Sequence, residues 1–210
     1  MGKIKINKTD LFHGVQQTAK YHNSNFLAGL LVKNFLKNIL MTFQEVDSKN
    51  IFEVGSGEGH ISGLLALNGF HVRGCDICNA SIENATREAK ERNLDITFEE
   101  KSIYDLGCND ITDVVLCCEV LEHLTDPELA FKKLLSITGK DLIVSVPNEP
   151  LWHILNMCRG KYLNALGNTP GHFQHWTKAQ FVKMVSSYAE VVSVRTPLPW
   201  TIVHCKPHKY

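Results

Sequence analysis

The chain has no excess of charge of either sign. Its 22 lysines and arginines balance 22 aspartates and glutamates, so the formal net charge of the 210 residues is zero. Proteins whose main task is to bind nucleic acid or an anionic membrane usually carry a basic surface. The balance therefore argues against a nucleic-acid partner and favours a small-molecule partner.

The chain also lacks a long uninterrupted apolar run and an apolar leader at its N-terminus. The longest apolar stretch, residues 26–43, contains two lysines and two asparagines, and so predicts an amphipathic helix packed on the domain without a membrane span. Seven cysteines are an odd number, and the adjacent Cys117 and Cys118 would seldom bridge each other, which argues against a disulfide scaffold. We therefore expect a cytoplasmic protein, as a monomer or a homodimer.

Short apolar runs alternate with helix-prone stretches from residue 50 onward. This alternation predicts an α/β fold with a doubly wound, mostly parallel sheet and an added N-terminal helix. The predicted strands are 51–54, 71–75, 96–98, 113–118, 142–146, 191–194 and 201–205, and the helices between them end near 67 or span 79–92, 127–135 and 178–188.

The domain organisation follows from the same pattern. Residues 1–25 are polar with scattered aromatics, and we interpret them as a flexible arm or lid. Residues 26–210 are expected to form a single domain, in which residues 148–177 are an insertion on the substrate side.

A glycine-rich loop, G-S-G-E-G at residues 55–59, follows the first predicted strand. His60 stands where a dinucleotide-binding fingerprint requires its last glycine, which argues against an NAD-dependent dehydrogenase. No Gly-Lys-Ser/Thr follows the loop, which excludes a Walker motif. The neighbouring Glu53 and Glu58 favour a ligand that carries positive charge or many hydroxyl groups over a polyphosphate.

An acidic residue, Asp76, ends the second predicted strand. In doubly wound sheets a carboxylate at this position accepts hydrogen bonds from the two hydroxyls of a ribose. The order of strand, glycine loop, helix and strand-end acid therefore predicts a nucleoside-binding site.

These segments resemble motif I of the class I S-adenosylmethionine-dependent methyltransferases, a family with a seven-stranded sheet whose last strand is antiparallel. Two further segments, VLCCEVLEHLTDP at 115–127 and SVPNEP at 145–150, are similar to the fourth-strand and fifth-strand segments of the quinone-biosynthesis O-methyltransferases. The latter are part of the methyltransferase type 11/12 branch. The resemblance covers residues from about 25 to about 205.

The resemblance implies S-adenosylmethionine as the cofactor. Gly55 and Gly57 would lie against its methionine part, Asp76 would bind the ribose hydroxyls, and the backbone around Cys118 would border the sulfonium. Many relatives have an aspartate near the adenine, where this sequence has Ser102, so a backbone amide is the alternative donor or acceptor there. The expected cofactor-binding residues are Glu53, Gly55, Gly57, Asp76, Ile77, Ser102, Ile103 and Cys118.

A Glu-x-x-Glu-His segment follows the fourth predicted strand. On a helical turn Glu119, Glu122 and His123 would share one face, at the sheet edge where ligands bind in such folds. Two close carboxylates and an imidazole suit a divalent metal such as Mg²⁺ or Mn²⁺. The alternative is that Glu122 and His123 cap a helix beside the substrate pocket without a metal.

Family resemblance adds a fourth residue to this segment. Coenzyme-Q O-methyltransferases and the methyltransferases of the 3′-terminal 2′-hydroxyl of small RNAs carry a similar Glu-x-x-Glu-His as a metal site. The RNA group adds a histidine before a Trp-Thr pair, and here GHFQHWT at 171–177 is similar, with His172 at the matching position. The implied metal ligands are Glu119, Glu122, His123 and His172, and the expected catalytic residues are Glu122, His123 and His175.

The expected function is O-methylation of a small hydroxylated acceptor by in-line methyl transfer. The insertion is rich in aromatic residues, which suits a flat or ring-shaped acceptor such as a phenol, a quinol or a sugar. Its Arg159 and Lys161, together with the aromatics, could equally stack a terminal nucleotide, as in a 3′-terminal RNA 2′-O-methyltransferase-like enzyme. A non-catalytic cofactor-binding module is the remaining alternative.

Overall fold

The computed structural model describes residues 26–152 and 173–208. Helices and strands alternate along these two segments, in the order predicted from the sequence. The α-helices are α1 (Phe26–Phe43), α2 (His60–Leu67), α3 (Asn79–Glu91), α4 (Pro127–Ser136) and α5 (Lys178–Ser186). The strands are β1 (Asn50–Val54), β2 (His71–Asp76), β3 (Ile96–Glu100), β4 (Thr112–Cys118), β5 (Thr138–Pro147), β6 (Ala189–Arg195) and β7 (Trp200–Pro207).

The strands form a seven-stranded sheet in the order β3-β2-β1-β4-β5-β7-β6. β7 is antiparallel to both of its neighbours, and the other adjacent strands are parallel. The strand order reverses between β1 and β4, and ligands of open α/β sheets bind at the carboxyl ends of the strands at such a switch point. The structure therefore confirms the doubly wound, mostly parallel sheet.

Alternate side chains of β4 pack into two apolar cores, one on each face of the sheet. Val114 and Leu116 face the core that contains α1 and α2, whereas Val115 and Cys117 face the core that contains α4 and α5. Phe35, Leu36 and Ile39 of α1 are buried in the first core, as the amphipathic pattern predicted. Within the described residues, no helix has the length and apolar character needed to cross a membrane.

β5 begins four residues earlier than the sequence predicted, at Thr138 in place of Leu142. The added residues include the charged Asp141, which is buried in the strand. Its Oδ1 lies 2.7 Å from Nε2 of His204 on β7. A buried carboxylate is tolerated when it is paired in this way, and the pairing partner is supplied by a strand distant in the sequence.

Candidate functional site at the carboxyl edge of the sheet

The glycine loop between β1 and α2 is wound so that only glycine fits at its first position. Gly55, Gly57 and Gly59 have φ values of 77°, 52° and 77°, in the left-handed region that side chains disfavour. The N–H of Gly55 donates to the carbonyl of Cys75, with a nitrogen–oxygen distance of 2.8 Å. A Cβ on Gly55 would lie 2.2 Å from Cγ2 of Val120, so the loop after β1 presses against the segment after β4.

The carboxylate of Asp76 lies beside this loop and is held by two backbone donors. The N–H of Gly57 donates to Oδ2 at 2.8 Å, and the N–H of Cys78 donates to Oδ1 at 2.9 Å. An ionised carboxylate can accept about four hydrogen bonds, so its remaining capacity suits two hydroxyl groups. The adjacent Ile77 is 73% exposed, which presents an apolar surface next to the carboxylate.

The segment after β3 reaches the same edge. The N–H of Lys101 donates to the backbone carbonyl of Asp76 at 3.0 Å, which brings Ser102 close to the carboxyl end of β2. The Ser102 hydroxyl accepts a hydrogen bond from the N–H of Tyr104 and caps a short 3-10 turn, and Ile103 of that turn is buried. Ser102 and Ile103 therefore lie near Asp76, and their part in binding the adenine stays a prediction.

The two acidic side chains of the loop region are buried and do not face solvent. The carboxyl of Glu53 is 2% exposed and accepts a hydrogen bond from the hydroxyl of Ser62 on α2. Burial raises the pKa of Glu53 to about 8, so it is protonated at neutral pH. Glu53 therefore adds no negative charge to the loop at neutral pH, and its part in cofactor binding stays a prediction. Glu58 is equally buried, with Oε2 at 3.6 Å from Nε2 of His60.

The Glu-x-x-Glu-His segment does not form an α-helical turn. Glu119 has a φ of 60°, and only Leu121–His123 form a 3-10 turn. The Glu119 carboxylate accepts a hydrogen bond from Nε1 of Trp200 at 2.7 Å and one from the Ser145 hydroxyl at 3.5 Å. The expectation of one shared helical face is wrong, because the left-handed residue directs the Glu119 side chain toward β5 and β7.

Glu122 and His123, the other described residues of the predicted metal site, differ in their exposure to solvent. Glu122 is 1% exposed, whereas His123 is exposed. Across residues 26–152 and 173–208, no group of three or more histidine, cysteine, aspartate or glutamate side chains could hold a metal ion. Glu119, Glu122 and His123 therefore do not fit a metal by themselves. His172 lies outside the described residues, so the four-ligand site stays a prediction.

The predicted insertion returns to this edge immediately after the part that is not described. The N–H groups of Phe173 and Gln174 both donate to the backbone carbonyl of Glu122, at 2.9 and 3.1 Å. The side-chain Nε2 of Gln174 donates to the carbonyl of Leu124 at 3.2 Å. The returning chain is thus attached to the turn after β4, close to the predicted catalytic residues.

His175, predicted to be catalytic, lies beside an acidic residue that the sequence analysis did not select. Its Nδ1 is 3.8 Å from Oε1 of Glu149, which is 7% exposed and follows β5 by two residues. The signal that could have identified Glu149 is its position directly after a buried strand, at the sheet edge where Asp76 and Glu119 also lie.

The cysteines on the strands below the site are buried. Cys118 is buried at the end of β4, next to Glu119. Burial raises the pKa of Cys75 to about 12 and the pKa of Cys117 well above its usual range. Both thiols therefore stay protonated at neutral pH, which agrees with a reaction that needs no cysteine nucleophile.

Comparison with known proteins identifies the family. Residues 52–141 match the family model described as a methyltransferase domain. The ubiquinone biosynthesis O-methyltransferase of Rickettsia canadensis is 29% identical over 146 residues, which cover 68% of this chain and 61% of that protein. The matched part spans about half to three fifths of the length of such Rickettsia relatives.

Solved structures share the fold. The magnesium protoporphyrin IX methyltransferase of Synechocystis with bound SAH superposes with a TM-score of 0.68 at 19% identity, covering 89% of each chain. The methyltransferase domain of bacterial CtHen1 gives 0.64 at 24% identity, covering 84% of this chain and 99% of that one. With the glycine loop, the strand-end acid and the sheet order, the methyltransferase-domain match and the Rickettsia relatives show that the chain belongs to the class I S-adenosylmethionine-dependent methyltransferases.

Proposed function

We propose that this protein binds S-adenosylmethionine and transfers its methyl group to a hydroxyl oxygen of a small acceptor, such as a phenol, a quinol or a sugar. The observation that carries the proposal is the Asp76 carboxylate, held by two backbone N–H groups beside the glycine loop at the switch point of the sheet. A carboxylate fixed in this way matches the paired hydroxyls of a ribose.

The surroundings of Asp76 fit the rest of the cofactor. Gly55 and Gly57 carry no side chains, so the loop backbone lets a ligand approach closely. The contact of Gly55 with Val120 fixes the loop against the segment after β4. The exposed side chain of Ile77 supplies an apolar surface for the adenine ring, with Ser102 at the same edge. Glu53 supports the loop from below through Ser62.

The chain's own contribution to the reaction is positioning and proton removal. When bound, S-adenosylmethionine supplies an electrophilic methyl group, and the electron pair of the broken carbon–sulfur bond stays on sulfur. The acceptor oxygen uses a lone pair to form the new bond with carbon, and its proton passes to an imidazole. Two exposed histidines, His123 and His175, lie at this edge and can take that proton. The imidazolium then returns the proton to solvent.

Three observations support a small hydroxylated acceptor. The relative in Rickettsia canadensis is named an O-methyltransferase of ubiquinone biosynthesis, and O-methylation requires an acceptor oxygen. The ends of the insertion carry half-buried aromatic side chains, Trp152 and Trp176, near the site. The zero net charge gives no general attraction to nucleic acid.

The test is transfer of labelled methyl from S-adenosylmethionine to a panel of catechol, hydroquinone, glucose and a short RNA. We expect label in a phenol, a quinol or a sugar. Label in the RNA alone would identify an RNA methyltransferase. Calorimetric binding of the cofactor without transfer to any acceptor would identify a non-catalytic module, and tighter binding of NAD than of S-adenosylmethionine would refute the proposed site.

A further inference from the structure

A carboxylate–imidazole pair lies where the two ends of the substrate-side insertion meet. Glu149 is at the first end and His175 at the second, with 3.8 Å between Oε1 and Nδ1. The carboxylate is buried, whereas the imidazole is 36% exposed. One ring edge therefore contacts an acidic group inside the protein, while the ring as a whole is partly exposed at the edge of the sheet.

Two hydrogen bonds hold Glu149 and its neighbour Asn148 against the segment that precedes and begins α5. The N–H of Glu149 donates to the carbonyl of Trp176 at 2.9 Å. The N–H of Lys178 donates to Oδ1 of Asn148 at 3.0 Å. These two contacts join the residues after β5 to residues 176–178, so the backbone of Glu149 is held close to that of His175.

His175 is held from both sides along the chain. On one side, Gln174 is bound through its backbone and side chain to the turn after β4. On the other side, the ring of Trp176 packs against the buried ring of Phe181, with centroids 5.5 Å apart. Because both neighbours are anchored, the imidazole has a defined place at the edge of the site.

We infer that Glu149 is a positioning residue that orients His175 to take the proton of the acceptor hydroxyl. This inference rests on the proposed function and deepens it, because it selects one of the two candidate imidazoles. A carboxylate near Nδ1 favours the tautomer with the proton on Nδ1 and leaves the lone pair of Nε2 to accept a proton. The distance of 3.8 Å fits a pair that tightens when ligands bind, as catalytic hydrogen bonds commonly do.

The first test reads the tautomer without any turnover. The nitrogen-15 spectrum of labelled protein, with the His175 signal assigned by His175→Gln, should show the proton on Nδ1 in the unsubstituted protein. Glu149→Gln should reduce that population. The matched control is Asp141→Asn, which removes the carboxylate of the buried pair with His204 in the half of β5 farther from the site and should leave the His175 signal unchanged.

The second test is kinetic and uses whichever panel acceptor is methylated. His175→Ala should lower kcat about a hundredfold, the usual range of general-base catalysis, and Glu149→Gln should lower kcat about tenfold with little change in the cofactor KM. The double variant should be no slower than His175→Ala alone, because Glu149 acts only through His175. Added imidazole should restore part of the activity of His175→Ala.

The two tests examine the Glu149–His175 contact and the methyl-transfer reaction separately. A proton on Nε2 of His175 in the unsubstituted protein, or a tautomer that ignores Glu149→Gln, would overturn the inference. A larger kcat loss in His123→Ala than in His175→Ala, or additive losses in the double variant, would also overturn it. A proton on Nδ1 without methyl transfer to any acceptor would refute the proposed function and leave the pairing intact.

Discussion

Replacing Glu53 by glutamine should remove a pH dependence from the folding stability of this protein. The carboxyl is buried beneath the glycine loop, and its pKa is raised from its ordinary value of 4.5 to about 8. The largest cause is desolvation by burial, which the hydrogen bond from Ser62 only partly offsets. The folded protein therefore keeps a proton that the unfolded chain has already released.

The sign and size of the effect follow from proton linkage. The stabilising contribution of the protonated carboxyl is fully present below pH 4.5 and is lost as the pH rises toward about 8. At 1.36 kcal/mol per pKa unit, the shift corresponds to about 5 kcal/mol in total, of which about 3 kcal/mol falls between about pH 5 and about pH 8. Glutamine at position 53 has no such proton to lose.

Urea unfolding of both proteins, followed by tryptophan fluorescence across this pH range, measures the effect. The difference between the two free energies of unfolding isolates Glu53, because the ten histidines are the same in both. Glu53→Gln should become more stable relative to the parent as the pH rises. The exposed Glu190→Gln is the matched control and should change stability by less than about 0.5 kcal/mol at each pH. A Glu53→Gln difference that does not change with pH would refute the reasoning.

Three further predictions concern the rim of the proposed cofactor site. Asp76→Ala should weaken binding of S-adenosylmethionine about a hundredfold by calorimetry, because two hydrogen bonds to a charged group contribute about 3 kcal/mol; unchanged affinity would contradict the assigned ribose contact. Gly55→Ala should destabilise the fold far more than Gly69→Ala, since both have positive φ but only the Cβ on Gly55 meets Val120, and Val120→Ala should recover part of the loss. Equal effects of the two glycine substitutions would argue against the close approach. Hydrogen bonds at the start of α3 lower the pKa of the exposed Cys78 thiol. Iodoacetamide should therefore label Cys78 before the buried cysteines, and bound cofactor should slow the labelling of Cys78. Equal labelling rates with and without cofactor would contradict the position of Cys78 at the rim of the site.

The sequence was sufficient to predict the fold because its local signals agree with the tertiary structure. The apolar residues of α1 recur at helical spacing, and the buried strands are short apolar runs bounded by polar residues. The start of β5 was missed because Asp141 is charged, and its burial depends on His204, which lies on a strand distant in the sequence. Local pattern carries no information about such a partner.

The residues of the proposed cofactor site were easier to locate from the sequence than the residues on the proposed acceptor side. The glycine loop and Asp76 occupy fixed places after β1 and β2, so their spacing reveals them. The direction of the Glu119 side chain depends on its left-handed backbone and on Trp200. The Glu149–His175 contact depends on how residues 173–177 lie against the sheet. Both features depend on tertiary structure, which the spacing of residues along the chain does not reveal.

The most direct test of methyl transfer is the stoichiometry of a single reaction analysed by mass spectrometry. The protein is incubated with S-adenosylmethionine and the hydroxylated acceptors, and both products are quantified. Our account predicts one S-adenosylhomocysteine for each acceptor that gains the mass of one methylene group, with both products lost in Asp76→Ala at low cofactor concentration. Bound S-adenosylmethionine recovered unchanged beside unmodified phenols, quinols and sugars would contradict it.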